Sequence, residues 1–336
     1  MPLIQSEYQC PWWFKNGHVQ TLHPRLRPER PAVRPREVTL NTPDEDFLEL
    51  FVYEAEKKAL VIITHGLESH GKEAALLRFA NKVSKAGYDA MTWSMRSCGK
   101  QINRTKWFYN GCDYRDLKHL IDTYAPDYDA IYLVGFSLGG SITANYLGRE
   151  GAACHPVVKG AFLVSPPLEL DSFHASMRAT FHHALYQRQF VKSLLGKFEK
   201  KRAFIDFGPE VDSEKVLRAR TVDEIEHHLF APLHGYKSSV DYRRHAAALP
   251  HLENTPVPTY ILCALDDPFI EARHLPYQLA ETSSRIHLEV ARHGGHTGFI
   301  RPKGEEGHWY ERRFFEFIES LNEPSRRKRQ VESETR

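Results

Sequence analysis

Residues 130–146, AIYLVGFSLGGSITANY, decide how the rest of the 336-residue chain is read. Ile131 to Val134 are apolar and β-favouring, Gly135-Phe136-Ser137-Leu138-Gly139-Gly140 follow, and small and apolar residues of helical character continue the stretch. The order is a buried strand, a very tight turn and a helix start, with Ser137 at the apex. A G-x-S-x-G sequence in this setting predicts a nucleophile elbow, a turn so sharp that its serine backbone is strained. Residues two before and two after the serine must be small, because strand and helix nearly touch there. Gly135 and Gly139 meet that demand, and Gly140 widens the clearance. The turn lifts the Ser137 hydroxyl above the strand end and aims the first unsatisfied helix amides at the same point, where negative charge on oxygen would be held. The pentapeptide alone also fits an ordinary β–α turn with a surface serine, so the reading depends on partners elsewhere.

On either side of the elbow the pattern alternates between strand and helix. ALVIITHG from Ala59 is a continuous apolar strand, 72–86 a helix, DAMTWSMR a strand and 111–124 a second helix; KGAFLVSPP follows the elbow helix. Strands that are apolar throughout, alternating with helices, predict a mostly parallel sheet covered on both faces. Residues 37–55 alternate around Thr42-Pro43-Asp44-Glu45 and predict a β-hairpin at a sheet edge. Residues 168–250 break the rhythm. They lack a clear buried strand and read as helices rich in His, Arg, Lys and aromatics, an inserted cap between core parts 37–167 and 251–322. Strand–helix order returns with VPTYILCALDD, a helix near 271–283, RIHLEVARHGGH and a last helix at 308–321. Residues 1–36 read as an N-terminal strap, with Pro11-Trp12-Trp13-Phe14 as an apolar strap that helps the cap to shape an apolar pocket and Asn16-Gly17-His18 as a turn. The tail 323–336, EPSRRKRQVESETR, reads as disordered and solvated.

Composition narrows the classes. Hydrophobic residues make up 41% and aromatics 12%, enough for a large core and a lined pocket, while the formal net charge of +2 requires neither nucleic acid nor an anionic membrane as partner. Five scattered cysteines without a C-x-x-C pattern argue against a disulfide framework and for a reducing compartment. The N-terminus shows no signal peptide, and the longest apolar runs are of strand length, so a cytoplasmic protein without an integral membrane segment is expected. Histidine pairs such as His182-His183 and His227-His228 form no convincing ligand set and are expected to face solvent. No metal and no cofactor are expected.

A serine hydroxyl needs a base, and the base needs a carboxylate. In the chain order Ser…Asp…His, the acid follows a late strand and the histidine the last one. ILCALDDPF puts Asp266 and Asp267 just past such a strand, and HLEVARHGGHTGF puts His293 and His296 in a Gly-rich loop after the next. Asp267, directly before Pro268, is favoured, with Asp266 left to cap or brace the turn. His296 is favoured because Gly294-Gly295 lets its loop bend over the elbow. A second oxyanion donor should come from the loop Thr64–Gly71, where Gly66 permits close approach, so the backbone amide of Leu67 joins that of Leu138. The His65 side chain is expected to hydrogen-bond the loop backbone and fix its shape. Arg96 is expected to brace neighbouring loops, and Cys98 to be no nucleophile.

With these residues in place the chain resembles the YheT-type branch of the α/β-hydrolase superfamily, esterases related to the eukaryotic abhydrolase lipases and esterases. The matching pieces are GHVQTLHPRL (17–26), HGLES (65–69), MRSCG…NR (95–104), GFSLGG (135–140), LHGY (233–236) with DYRR (241–244), DDPF (266–269) and HGGHTGFI (293–300). The resemblance implies an α/β-hydrolase fold with an inserted helical cap, a triad of Ser137, Asp267 and His296, a small-molecule carboxylic ester as substrate and no cofactor. Membrane-anchored relatives begin with a transmembrane helix, and none is expected from this sequence. Two other readings stand beside ester hydrolysis: acyl transfer to an alcohol or thiol on the same triad, and a catalytically silent fold serving as a binding module. The intact Ser…Asp…His set argues against the last.

Overall fold

The structure, a computed structural model, describes residues 3–26, 31, 33–177, 183–302 and 307–334. Its strands are β1 (Leu3–Gln5), β2 (Arg36–Asn41), β3 (Phe47–Tyr53), β4 (Lys57–Thr64), β5 (Tyr88–Ser94), β6 (Ala130–Phe136), β7 (Val158–Val164), β8 (Thr259–Ala264) and β9 (Ile286–Ala291). They form one nine-stranded sheet in the order β1-β9-β8-β7-β6-β4-β5-β3-β2. All neighbours are parallel except β2 with β3 and β3 with β5. The β2–β3 hairpin turns through Thr42 to Asp46, where the Thr42 amide donates to the Asp46 carbonyl at 3.0 Å.

The apolar strands split their residues between two cores, as a period of two requires. Leu60 and Ile62 of β4 and Ile131 and Leu133 of β6 pack on one face. Val61, Ile63, Tyr132 and Val134 pack on the other. The second face is covered by α2 (Ala74–Lys85), through Phe79, Ala80 and Val83, and by the C-terminal helix Trp309–Glu334, through Phe314 and Ile318. The first face is covered by α3 (Arg115–Tyr124) and α4 (Leu138–Glu150) and, above them, by helices of the cap. The cap runs from α5 (Leu170–Met177) through Arg188–Arg202 to Ser239–Ala246. Phe190, Leu194, Phe198 and Leu229 join its core to that of the sheet.

Two parts of the molecule depart from the sequence reading. The N-terminal segment is more than a strap: Leu3, Ile4 and Gln5 pair with Leu288, Glu289 and Val290 as an edge strand, and α1 (Gly17–Leu26) begins where a turn was expected. Asn16 explains the helix start, since its side-chain oxygen accepts the amides of His18 and Val19 at 3.0 and 3.2 Å, an N-cap. Trp12 and Trp13 point outward, being 75% and 51% exposed. At the other end, the backbone stays helical to Glu334 where disorder was expected from Glu323. That stretch is rich in Glu, Lys and Arg, which are good helix formers.

Candidate active site

The site is built where β6 ends. Ser137 has φ 51° and ψ −123°, a conformation L-residues rarely hold, between the strand and the first residue of α4. The glycines around it are sterically obligatory. A Cβ on Gly135 would lie 2.5 Å from the Gly140 Cα, and one on Gly139 would lie 2.4 Å from the Thr64 carbonyl oxygen. The Ser137 amide is tied to the Val164 carbonyl of β7 at 2.9 Å, so the strained turn is pinned from the adjacent strand. As the first residue of α4, Leu138 carries one of the amides that helix geometry leaves without an intrahelical acceptor.

Three side chains from three strand ends meet above this turn. His296 Nε2 lies 2.6 Å from Ser137 Oγ. His296 Nδ1 lies 2.8 Å from Asp267 Oδ2. Asp267 Oδ1 accepts the amides of Phe269 and Ile270 at 2.8 and 3.2 Å, which fixes the carboxylate plane. The Asp267 side chain is 1% exposed and that of His296 9%. With an acid acceptor at Nδ1, that nitrogen carries the proton and Nε2 is left to accept from the serine hydroxyl. Asp266 is not part of this line. Its Oδ2 pairs with His293 Nδ1 at 3.2 Å and its Oδ1 accepts the Gly295 amide at 2.8 Å, so Asp266 and His293 brace the loop that carries His296.

That loop is also held from the N-terminal segment, a relation the sequence did not disclose. Thr21 Oγ1 accepts the His296 amide at 2.9 Å, and Gln20 Oε1 accepts the Ile300 amide at 2.9 Å. Gly17 packs so tightly that an added Cβ would lie 1.8 Å from the Asp266 carbonyl oxygen. The GHVQT portion of the shared motif thus sits against the loop of His296. Its spacing of Gly17, Gln20 and Thr21 on one face of a helix was the available signal, obscured by reading Asn16-Gly17-His18 as a turn.

The loop after β4 faces the serine from the other side. A Cβ on Gly66 would lie 3.0 Å from Ser137 Cβ, which places Leu67 at the edge of the site. His65 is wholly buried, with Nδ1 donating to the Gly66 carbonyl at 2.7 Å and Nε2 accepting the Met95 amide at 3.0 Å. Burial without a charge partner pushes its pKa down to about 3, so it stays a neutral scaffold. Glu68 holds the left-handed φ of 55° and is clamped from outside the loop. Tyr109 Oη donates to Glu68 Oε1 at 2.5 Å, and Lys197 Nζ, from the cap, at 2.7 Å. Arg96 braces at a distance, reaching Asp116 and Asp44 with paired hydrogen bonds of 2.6 to 3.0 Å. The Cys98 thiol is buried and pushed up to about 11, which keeps it unreactive.

Over these groups lies a cavity lined by Gly66, Leu67, Ser137 and His296 below, with Leu22 and Pro24 of α1 and Phe173, Tyr186, Phe190 and Phe269 along an apolar flank. Ser69, Glu73 and Thr297 give it a more polar side. Elsewhere, ligand atoms of His174, Asp223 and Glu226 in the cap lie within 4.8 Å of one another. Arg243 already lies among them, with Nη1 3.0 Å from Glu226 Oε2 and further contacts to Asp223 and Asp171. A guanidinium in that place supplies the positive charge a metal ion would otherwise bring. His227 is exposed and His228 partly so, while His182 lies outside the described residues.

A parallel sheet bearing a strained serine elbow, with acid and histidine on the following strand ends, defines an α/β hydrolase. The chain belongs to the alpha/beta hydrolase family, which residues 60–305 match. It is 28% identical over 293 residues to "Putative esterase YheT" of Escherichia coli, covering 85% of both chains. It is 23% identical over 342 residues to the phospholipase ABHD3 of Homo sapiens, covering 96% of this chain and 81% of that one. In fold it is similar to the esterase Pf2001 of Pyrococcus furiosus, with a TM-score of 0.56 at 17% identity over 88% of this chain and 97% of that one. The chain is an esterase- and lipase-type member of the family, and its likeness to the YheT branch stands.

Proposed function

We propose that the protein hydrolyses carboxylic esters, short- to medium-chain acyl esters or a lipid-like ester, through Ser137, His296 and Asp267. His296 Nε2 takes the proton as Ser137 Oγ attacks the acyl carbonyl, and Asp267 steadies the imidazolium that forms. The amides of Leu67 and Leu138 hold the oxyanion. His296 then returns the proton to the departing alcohol, leaving the acyl group on Ser137. A water deprotonated by His296 attacks this acyl-enzyme and releases the acid. Phe173, Phe190 and Phe269 receive the acyl portion. The observation that carries the reading is the unbroken hydrogen-bonded line from Asp267 through His296 to a strained Ser137 beneath an apolar-walled cavity. The relatives' names, an esterase and a phospholipase, are in keeping with it. Five free thiols support a reducing, cytoplasmic setting.

The test is covalent labelling with a fluorophosphonate, with the modified peptide located by mass spectrometry. The adduct is expected on Ser137 and absent from Ser137→Ala, and a p-nitrophenyl acyl series then ranks chain lengths. Folded protein that neither labels nor turns over these esters returns the site to the binding-module reading.

A further inference from the structure

Large apolar side chains exposed to solvent are concentrated at the start of the chain. Among the described residues, Leu3, Trp12, Trp13, Val19, Leu26 and Val33 are exposed there, against Phe204, Val240 and Leu265 in all the rest. Trp12 and Trp13 pack edge to face on each other with centroids 5.4 Å apart, while Phe14 folds the turn back onto His23 at 4.8 Å. On α1, Val19, His23 and Leu26 follow at i, i+4 and i+7 and share the outer face, opposite Gly17, Gln20 and Thr21 that hold the histidine loop. The contact of Phe14 with His23 therefore sets the two indoles beside the Val19–Leu26 stripe. Soluble proteins expose such residues singly; a contiguous group marks a contact surface.

We propose that this surface seats the protein peripherally on a lipid bilayer, with Trp12, Trp13, Val19 and Leu26 at headgroup depth. Indole rings favour that interface, having an apolar body and a polar N–H. Charge complements it: from Lys15 to Arg30 the sequence carries four Lys and Arg residues against the single acid Glu29, a match for anionic headgroups. The patch is also continuous with the cavity, because Leu22 and Pro24 of the same helix line it. A lipid chain leaving the bilayer thus follows one apolar flank towards Ser137. A second copy of the chain seated here by a two-fold axis would oppose the same cationic stretch to itself, which disfavours that occupant. Among the described residues no helix is long and apolar enough to cross a membrane, so the seat is at the surface.

Flotation of the full chain with unilamellar vesicles tests this without any substrate, so its outcome is independent of the ester-hydrolase reading. The protein is expected to float with phosphatidylcholine vesicles containing phosphatidylglycerol, and about tenfold less with phosphatidylcholine alone or in high salt. Brominated lipids should quench its tryptophan fluorescence. The exposed-site double variant Trp12→Ala/Trp13→Ala, and separately Val19→Asp, should each lower vesicle binding about tenfold. In the double variant the ratio of rates on vesicle-embedded and dissolved esters should fall by a similar factor. Wild-type protein that stays at the bottom of the gradient with anionic vesicles overturns the proposal. So do variants that float as well as wild type, or a wild-type dimer that the double variant dissociates while neither binds vesicles.

Discussion

Ser137 and His296 lie 2.6 Å apart, yet the chain holds them by unlike means. Ser137 is placed chiefly by its immediate neighbours, a strand, three glycines and the helix they launch within residues 130–150, with the adjacent strands β4 and β7 closing on the turn at Thr64 and Val164. His296 is placed by partners remote in sequence. Its own loop bends freely at Gly294 and Gly295, and its position is set by Asp266, by Thr21 and by the close packing of Gly17. One half of the site is local and the other half is assembled.

Removing the local half should have the largest effect. Ser137→Ala is expected to lower kcat by about 10⁴-fold or more with the melting temperature little changed, measured on p-nitrophenyl butyrate. A substitution in the assembled half should come next. Gly17→Ala forces α1 away from the Asp266 loop, and a displacement of about 1 Å at the base costs roughly 100-fold in rate. Steady-state kinetics showing less than a fewfold change would mean that the N-terminal helix does not position His296, and the contrast between the halves would collapse. Thr21→Val sharpens the point more gently. It leaves the His296 amide without its acceptor, a cost of about 1–3 kcal/mol, and should lower kcat about tenfold with KM nearly constant.

A further expected effect is on stability rather than rate and concerns pH. His65 is held near a pKa of about 3 against an ordinary 6.5, so below pH 6.5 the unfolded chain binds a proton that the folded one refuses. Its contribution is complete above pH 6.5 and is lost as the pH falls towards 3, amounting to roughly 3 kcal/mol by pH 4. Urea midpoints measured from pH 7 to 4 should fall accordingly, and His65→Asn should flatten that slope. An equal slope in both proteins would assign the acid sensitivity elsewhere.

The same contrast explains what the sequence disclosed. The elbow was legible because Gly135, Ser137 and Gly139 act within one turn, and the clash a Cβ on Gly135 would meet is with the backbone of Gly139 and Gly140 in that same turn. Asp267 and His296 were legible because the chain order of the strands places them at neighbouring strand ends. The solidly apolar strands announced burial on both faces, and the residues of β4 and β6 do divide between two cores. What stayed hidden was non-local. Leu3–Gln5 is too short to read as a strand by itself, and it becomes one only because β9 offers an edge. Thr21, Gln20 and Lys197 look like ordinary helix residues until the loops they bind are folded against them. Trp12 and Trp13 misled in the opposite sense, since aromatic content suggests burial and here points outward.

The pairing of β1 with β9 has a consequence for how the molecule is made. Ser6 donates to Glu289 across 283 residues of chain, so the first segment to leave the ribosome waits for nearly the last before its strand has a neighbour. Until then α1 has no histidine loop to grip, and the apolar stripe of Trp12, Trp13 and Val19 is the business of whatever shields nascent chains. Synthesis of the sheet can proceed from β4 outward through β8, while the meeting of His296 with Ser137 is withheld until the two ends of the polypeptide have found each other.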